Sequence, residues 1–260
     1  MFDLKGKNAL VCGSSRGIGK ASAVALAELG ANITLVSRSP SNLREAISEL
    51  PKSKPQDHGF LVADFSNDSD LSKKVKVLAA TKTIHILINN TGGPPARALL
   101  DSTPEELVQA FHDHLICNHL LTTILAPGMK RAGYGRIINI TSVAVKEPIP
   151  GLGLSNTVRA AVANWAKTLA GELGPYGITV NNILPGYTAT DRLESLLKAN
   201  AEKTGKSVDD LKSQIIQDIP SKRIGKPQEI GAAVAFLATM EAAYINGINL
   251  TVDGGRTKSL

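Results

Sequence analysis

A chain of 260 residues, 43% hydrophobic and 20% charged, is long enough to bury a substantial core. Its net charge of +6 and pI near 9.3 would suit a nucleic-acid-binding protein, but the basic residues are dispersed and aromatic residues make up only 4%. Because nucleic-acid recognition depends on clustered basic residues and on aromatic stacking, we expect no nucleic-acid partner.

The N-terminal segment and the two cysteines indicate the compartment. MFDLKGKNALVCG carries charges and lacks the apolar region of a signal peptide, and no uncharged apolar stretch reaches the roughly 18 residues of a membrane span. Cys12 and Cys117 lie in apolar segments without a CxxC pair, which favours buried thiols over a disulfide or a zinc site. We therefore expect a cytoplasmic protein with no membrane association and no metal.

Short apolar runs alternate with longer helical patterns along the chain. Helical patterns include GIGKASAVALAELGA (17–31) and GAAVAFLATM (231–240). This alternation predicts an α/β protein with a parallel sheet and helices on both faces, and no linker divides 1–260 into two domains. The predicted strands are NALVCG (8–13), ITLVS (33–37), GFLVAD (59–64), HILINN (85–90), RIINITS (136–142), ITVNNILPG (178–186) and NLTVDGG (249–255).

A glycine-rich loop, CGSSRGIG, follows the first strand and opens the first helix. Ligands of parallel sheets bind at this end of the strands, and a helix N-terminus favours an anion. The three glycines in turn permit a tight turn, let the backbone approach a pyrophosphate, and let the helix pack closely on the sheet, although their spacing is GxxxGxG rather than GxGxxG. The predicted phosphate-binding residues are Gly13, Ser15, Arg16, Gly17, Ile18 and Gly19.

The second predicted strand ends in LVSRSP, with Ser37 and Arg38 and no carboxylate. A site specific for NAD carries an acid here, which would repel the 2′-phosphate of NADP. Arg38, helped by Arg16, can instead pair with that phosphate. The sequence therefore predicts NADP(H) as the preferred cofactor over NAD(H), with a solvated surface arginine as the alternative interpretation of Arg38.

Further motifs follow in order: Asp64 after the third strand, NNTGG (89–93), INITS ending in Ser142, PYGITVNNILPGYTAT (175–190), RIGKPQEIG (223–231) and YINGINLTVDGG (244–255). With the glycine loop, these motifs resemble the classical short-chain dehydrogenase/reductase family, especially its branch similar to β-ketoacyl-carrier-protein reductases. The resemblance covers nearly the whole chain, although the family usually has NNAG where this chain has NNTGG.

The resemblance implies a single Rossmann-like, doubly wound domain with a seven-stranded parallel sheet. It also implies hydride transfer between a nicotinamide and a small carbonyl or alcohol substrate, in a homotetramer or homodimer. A helix N-cap before DRLESLLKA is an equally good interpretation of the two threonines that the family places near the nicotinamide. By position, the implied cofactor contacts are Asp64 and Phe65 at the adenine, Asn90 and Gly92 along the nucleotide, and Pro185, Gly186, Thr188 and Thr190 toward the nicotinamide.

The catalytic positions depart from the family pattern. The family's serine at the end of the fifth strand precedes by thirteen residues the tyrosine of a YxxxK motif. The same count from Ser142 leads to Ser155, and four further residues lead to Arg159. The family's catalytic asparagine falls at His114 by an ungapped count, whereas a shifted register would give Asn118. Only Ser142 matches the family.

The segment 151–173, GLGLSNTVRAAVANWAKTLAGEL, predicts an amphipathic helix that opens on the cleft, with Ser155 and Arg159 one turn apart. Serine is a poor general acid and arginine does not release its proton. We therefore predict a proton relay formed by His114, a water molecule and Ser155. His114 suits this role because its ordinary pKa is roughly 6.5. Ser142 and Arg159 would bind the oxyanion, and Arg159 would also hold the nicotinamide ribose.

Other residues near the predicted cleft leave alternatives open. Tyr187 is a rival acid, whereas His112 and His119 are expected to be ordinary structural residues. Residues 92–98 and 145–153 would form walls of the substrate pocket, and residues 190–217 a helical lid. Arg97, Lys146 and Arg192 would attract an anionic substrate or form a solvated rim.

Two functions are therefore compatible with the sequence. The first is an NADP(H)-dependent oxidoreductase with an atypical catalytic site, favoured by the glycine loop and Ser142. The second is a non-catalytic NADP(H)-binding or scaffold protein of the same fold, favoured by the missing tyrosine and lysine.

Overall fold

Strands and helices alternate along the chain in the computed structural model, which describes residues 2–52 and 55–259. The strands are β1 (Asn8–Cys12), β2 (Asn32–Ser37), β3 (Gly59–Val62), β4 (Ile86–Asn89), β5 (Gly135–Ile140), β6 (Ile178–Pro185) and β7 (Asn249–Val252). The α-helices are α1 (Gly17–Glu28), α2 (Pro40–Ser48), α3 (Asp68–Thr81), α4 (Pro104–Phe111), α5 (Cys117–Ala132), α6 (Gly153–Leu173), α7 (Asp191–Thr204), α8 (Val208–Asp218) and α9 (Pro227–Leu237).

The seven strands form one parallel sheet in the order β3-β2-β1-β4-β5-β6-β7. The chain runs outward from β1 to β3 and then returns to place β4 beside β1. The strand order therefore reverses between β1 and β4, where doubly wound folds bind their ligands. The predicted Rossmann-like fold is confirmed, and all seven predicted strands are present.

Apolar side chains cover both faces of the sheet. On one face α1 and α9 pack through residues such as Leu26 and Val234. On the other face α3, α5 and α6 contribute Leu71, Leu121 and Ala166. In the described ranges, no helix has both the length and the apolar character needed to cross a membrane.

A row of hydrogen-bonded asparagine side chains crosses β4, β5, β6 and β7. Asn89 on β4 donates its amide N–H to Asn139 on β5 at 2.8 Å, Asn139 donates to Asn182 on β6 at 2.8 Å, and Asn182 donates to Asn249 on β7 at 2.9 Å. Each pair is also a directly opposed pair in the strand register. This asparagine ladder links four strands through side chains as well as backbone.

The helix N-termini are of two kinds. Five helices begin with a side-chain cap that occupies a backbone N–H, whereas α1, α5, α6 and α9 begin without one in the described structure. An uncapped N-terminus keeps its N–H groups for another acceptor. The capped helices are α2 by Ser39, α3 by Asn67, α4 by Thr103, α7 by Thr190 and α8 by Ser207.

The predicted lid, residues 190–217, corresponds to the helices α7 and α8. They share a small apolar cluster of their own, formed by Leu193, Leu197 and Leu211. On the other side of the cleft, a π-helical turn, His112–Ile116, joins α4 to α5. These segments and the carboxyl ends of the strands surround the candidate site.

Candidate active site

The glycine loop is a close-packed backbone turn. Gly13 and Gly17 both have φ of +56°, which glycine adopts without strain. A Cβ atom on Gly19 would lie 2.2 Å from the Gly13 carbonyl oxygen. Asn90 donates its side-chain amide to the carbonyls of Cys12 (3.2 Å) and Gly13 (3.1 Å), so that it fixes the loop itself.

The start of α1 fits an anion. It has no side-chain cap and no acidic residue in its first turn, so its N–H groups and the helix dipole favour a phosphate. Ser15 and Ile18 are half-buried in this loop. Arg16 is exposed and pairs with Asp191, the first residue of α7, at 2.9 Å.

The end of β2 also offers free polar groups. The Ser37 hydroxyl oxygen is buried and has no hydrogen-bond partner in the described structure, and Arg38 is exposed. Asp64 accepts the Ser66 backbone N–H at 3.0 Å, and this bond, helped by the Arg38 charge, holds the pKa of Asp64 below its usual value. Phe65 is half-buried against the core. The unpaired Ser37 hydroxyl, the exposed Arg38 and the glycine loop together fit a phosphorylated dinucleotide.

The segment after β6 closes the cofactor side. Following Pro185, Gly186 packs against Asp253, where a Cβ atom would lie 2.6 Å from the Asp253 Cβ. The Thr188 hydroxyl donates to the Gly186 carbonyl at 3.1 Å, and the Thr190 hydroxyl accepts the Leu193 N–H at 3.4 Å. Thr190 is therefore the N-cap of α7, and the cap interpretation is wrong for Thr188.

Ser142 and α6 form the end of the cleft that carries the predicted catalytic residues, which we call the catalytic end. The Ser142 Oγ accepts the Ala144 N–H at 3.1 Å, which leaves its hydroxyl proton free to donate. Ser155 lies in the first turn of α6, and Arg159, one turn later, donates Nη1–H to the Ile140 carbonyl at 2.6 Å. The Arg159 Nε is buried without a partner among the described residues, and burial with the nearby Arg192 charge lowers the pKa of Arg159 to about 10.

His114 is buried, with 3% of its surface exposed, in the π turn. Burial, followed by the charges of Arg159 and Arg192, lowers the pKa of His114 to about 2. The expectation of an ordinary pKa near 6.5 is therefore wrong, because the imidazole cannot be solvated and faces two cations. His114 is a neutral donor and acceptor in this site.

Thr91 is a site residue that the sequence analysis missed. Its hydroxyl lies 2.7 Å from His114 Nδ1. A hydroxyl can donate or accept, so that either tautomer of the neutral imidazole is satisfied. The available signal was the threonine of NNTGG, which stands where the resembled family has alanine.

The remaining predicted residues divide between the cleft and the surrounding structure. Gly92 is exposed, and a Cβ atom there would meet open space. Arg192 reaches from the lid to the Pro94 carbonyl at 2.6 Å, whereas Arg97 is neutralised by Glu106 at 2.9 Å. Tyr187 packs with the apolar cluster of the lid, and its ring faces Arg256 at 5.0 Å.

Comparisons with known proteins show which family the chain resembles. Residues 13–257 match the family model described as "Enoyl-(Acyl carrier protein) reductase". The chain is 30% identical to the NADPH-dependent reductase BacG of Bacillus subtilis over 98% of this chain and 99% of that protein. It is 35% identical to a 3-oxoacyl-[acyl-carrier-protein] reductase of Synechocystis over 98% of both chains.

A solved structure shows the same architecture. The L-sorbose reductase of Gluconobacter frateurii, in complex with NADPH and L-sorbose, superposes with a TM-score of 0.93 and 29% identity. The alignment covers 100% of this chain and 99% of that one. The fold, the ordered motifs and the family match together show that the chain belongs to the classical short-chain dehydrogenase/reductase family of oxidoreductases, in the branch similar to β-ketoacyl-carrier-protein reductases.

Proposed function

We propose that this protein is an NADP(H)-dependent oxidoreductase that interconverts a carbonyl and a hydroxyl group without a catalytic tyrosine. The observation that carries the proposal is the half-buried Arg159, whose Nε is buried without a partner in the described structure, near a neutral His114 and with the Ser142 hydroxyl proton free to donate. Buried polar groups of a folded protein are normally paired. An unpaired guanidinium nitrogen in a cleft supports a site that awaits a ligand.

The cofactor would be held mainly by backbone. The glycine loop and the N–H groups of α1 would bind the pyrophosphate, Ser37 and Arg38 the 2′-phosphate, and Arg159 the nicotinamide ribose. When bound, NADPH supplies the hydride. The names of BacG and of the L-sorbose reductase complex, both of which involve NADPH, support this choice of cofactor.

The substrate oxygen would be held by donors that are already oriented. Ser142 has one lone pair engaged by Ala144, so that its proton is free to donate to that oxygen. Arg159, fixed by the Ile140 carbonyl, adds a positive charge beside it. Preorganised donors of this kind stabilise the negative charge that develops on the oxygen in the transition state.

The proton would pass through Ser155, a water molecule and His114. In carbonyl reduction Ser155 would give its proton to the substrate oxygen and regain one from the water molecule, which would take one from His114 Nε2. His114 would regain a proton at Nδ1 from the Thr91 hydroxyl, and Thr91 would be reprotonated by solvent, so that the imidazole stays neutral throughout. Tyr187, which packs within the lid cluster, is the less favoured donor.

The first experiment is a fluorescence titration of the purified protein with NADPH and with NADH. We expect micromolar NADPH binding with a clear preference over NADH. The NADPH-bound protein is then assayed for NADPH consumption with a 3-oxoacyl thioester, L-sorbose and simple cyclic ketones. Binding of neither cofactor would contradict the proposal.

The double variant Ser155→Tyr with Arg159→Lys separates the enzyme from the scaffold alternative. If the natural protein is an enzyme, it turns over a substrate before the family motif is restored. Activity found in the double variant alone would show an intact cofactor site in a protein that does not itself catalyse, and would favour the scaffold alternative.

The homotetramer remains an expectation from the resemblance, to be measured by sedimentation velocity.

A further inference from the structure

Three chemically different metal ligands meet next to the predicted adenine end of the cleft, where the Cys117 thiol donates to the Phe65 carbonyl at 3.0 Å. Asp68 at the start of α3, His112 at the start of the π turn and Cys117 at the start of α5 place one ligand atom each within 4.8 Å of one another. The His112 Nε2 lies 3.0 Å from Asp68 Oδ2, and the Cys117 Sγ lies 3.9 Å from Asp68 Oδ1. No spacing motif predicts this cluster, because its members are 44 and five residues apart.

The π turn brings His112 and Cys117 to the same side. Residues five apart on an α-helix point about 140° away from each other. In the wider turn His112–Ile116, the Cys117 N–H instead bonds to the His112 carbonyl, which closes an i to i+5 loop. Such single π turns are frequent at functional sites. Here the local widening has the effect of pairing an imidazole with a thiol.

The second ring nitrogen of His112, Nδ1, is also held as it is in metal sites. Its Nδ1 lies 3.2 Å from Asp113 Oδ1, and Gln109 donates to that same oxygen at 2.7 Å. Metal-bound histidines generally donate their second N–H to a carboxylate, which fixes the ring orientation. Nε2 is thereby directed at Asp68 and the neighbouring thiol.

The spacing and donor types indicate a metal of zinc character. With bonds of roughly 2.0 Å to nitrogen and oxygen and 2.3 Å to sulfur, tetrahedral ligands lie about 3.3–3.5 Å apart. The separations of His112 Nε2 from Asp68 Oδ2 (3.0 Å) and of Cys117 Sγ from Asp68 Oδ1 (3.9 Å) lie on either side of that range. One ligand atom from each of the three residues lies within 4.8 Å of the others. Thiolate and imidazole exclude magnesium and calcium as preferred ions and favour Zn²⁺ or Co²⁺.

We propose that Asp68, His112 and Cys117 form a binding site for one Zn²⁺-type cation, with a water molecule as fourth ligand. The Asp68 and His112 side chains are 44% and 25% exposed, so that an ion can enter from solvent, whereas Cys117 closes the inner side. The ion would clamp α3 to the π turn that also presents His114. The site therefore links metal binding to the rigidity of the catalytic end.

Titration of the intact, chelator-treated protein with Co²⁺ tests this site. We expect one equivalent of Co²⁺ to produce a near-ultraviolet thiolate-to-cobalt charge-transfer band, and one equivalent of Zn²⁺ to abolish it. Cys117→Ser removes the band. His112→Gln and Asp68→Asn weaken Co²⁺ binding by more than the roughly 10- to 100-fold loss expected for Asp113→Asn, because they remove ligands rather than an outer partner.

Matched controls lie in the same chain. Cys12→Ser removes the other cysteine, and His119→Gln removes a histidine on α5 that accepts the Trp165 N–H; both should retain the band. If the cluster is only an ion pair beside a thiol, Co²⁺ produces no charge-transfer band in the unmodified protein. A band that persists in Cys117→Ser with unchanged affinity would equally overturn the proposal. Circular dichroism confirms that each variant is folded.

Discussion

The two ends of the cleft differ in what they are made of. The nucleotide end is built from backbone, with positive φ at Gly13 and Gly17 and an uncapped helix N-terminus. The catalytic end is built from side chains, and there only Ser142 matches the family pattern. A backbone site depends on glycines that no other residue can replace, whereas a side-chain site can be rebuilt with different groups on the same elements.

The ends also differ in exposure and charge. Arg38 at the nucleotide end is exposed, whereas at the catalytic end His114 is buried and Arg159 is half-buried, both near the Arg192 charge. Electrostatic interactions are stronger where water is excluded. Substitutions at the catalytic end should therefore change the rate, and those at the nucleotide end should change affinity or folding.

Replacement of His114 is expected to have the largest effect. His114→Gln should lower kcat by roughly 10²- to 10⁴-fold, the usual contribution of a proton-transfer group, while the Kd for NADPH stays unchanged. Steady-state kinetics and NADPH titration of the same preparation measure both. An unchanged kcat would remove His114 from the relay.

Thr91 separates positioning from folding in the same assay. Thr91→Ala should lower kcat less than His114→Gln does, and Thr91→Ser, which keeps the hydroxyl, should restore the rate. If Thr91→Ser were as slow as Thr91→Ala, the hydroxyl at His114 Nδ1 would not be what matters.

A larger side chain at Gly19 tests whether close backbone packing is essential at the nucleotide end. In Gly19→Val the new Cβ atom would lie 2.2 Å from the Gly13 carbonyl and 2.7 Å from the Asn90 amide nitrogen. Because backbone cannot move aside cheaply, we expect destabilisation at or above the upper end of the roughly 1–3 kcal/mol typical of overpacking, with NADPH binding lost. Urea unfolding and cofactor titration measure the two effects.

Gly171 on α6 provides the matched control. A Cβ atom there meets nothing within 4 Å, so Gly171→Ala should stabilise the protein by about 0.5–1 kcal/mol through helix propensity alone. If both glycine variants behaved alike, close packing of the loop would not explain the requirement for Gly19.

Charge reversal at the end of β2 should have a smaller effect, confined to one cofactor. Arg38→Glu is expected to weaken NADPH binding by roughly 10- to 100-fold, since hydrogen bonds to charged groups contribute about 1.5–3 kcal/mol. NADH binding should be retained. Arg44→Glu, the same charge change on the exposed surface of α2, controls for net charge, and equal losses in both variants would argue against a specific role of Arg38.

His85 directly precedes the central strand β4, at the amino end of the sheet. Its titration should make stability depend on pH. Burial, with the Lys7 charge, holds the pKa of His85 below its ordinary value, and its neutral Nδ1 accepts the Asn8 N–H at 3.1 Å. Because the folded-state pKa is depressed, the unfolded chain binds a proton first as pH falls below about 6.5, and stability decreases. Above that pH the contribution is fully present.

The comparison with His85→Gln isolates this group. The unmodified protein should lose more free energy of unfolding than the variant between pH 7 and pH 5, and kcat at neutral pH should be the same in both. Parallel stability curves would show that His85 titrates normally. A lower kcat in His85→Gln would show that the catalytic end is not the only region that controls rate.

The fold and the nucleotide end were predictable because they follow local patterns. Apolar strand segments, the glycine spacing and the absence of an acid beside Arg38 are each visible within a few residues. Thr91 in a loop contacts His114 in the π turn, 23 residues later, and the pKa of His114 is depressed by burial and by the charges of Arg159 on α6 and Arg192 in the lid. Neither can be inferred from spacing along the chain.

The π turn had no recognisable sequence signal. The π turn His112–Ile116 joins α4 to α5 and packs against α6. The sequence therefore predicts an ordinary structural role for His112 and offers no reason to group it with Asp68 and Cys117. Sequence analysis identifies a helix more readily than a break in its period.

The asparagine ladder has a consequence for how the chain reaches this structure. Parallel strands must pair across long loops, and a slip of one residue would turn every side chain to the other face. Asn89, Asn139, Asn182 and Asn249 bond as directly opposed pairs. A strand misaligned by one residue would therefore leave the buried amides of Asn89, Asn139 and Asn182 without these partners, at a cost of about 1–3 kcal/mol each. The ladder thus disfavours compact sheets in which these strands pair out of register.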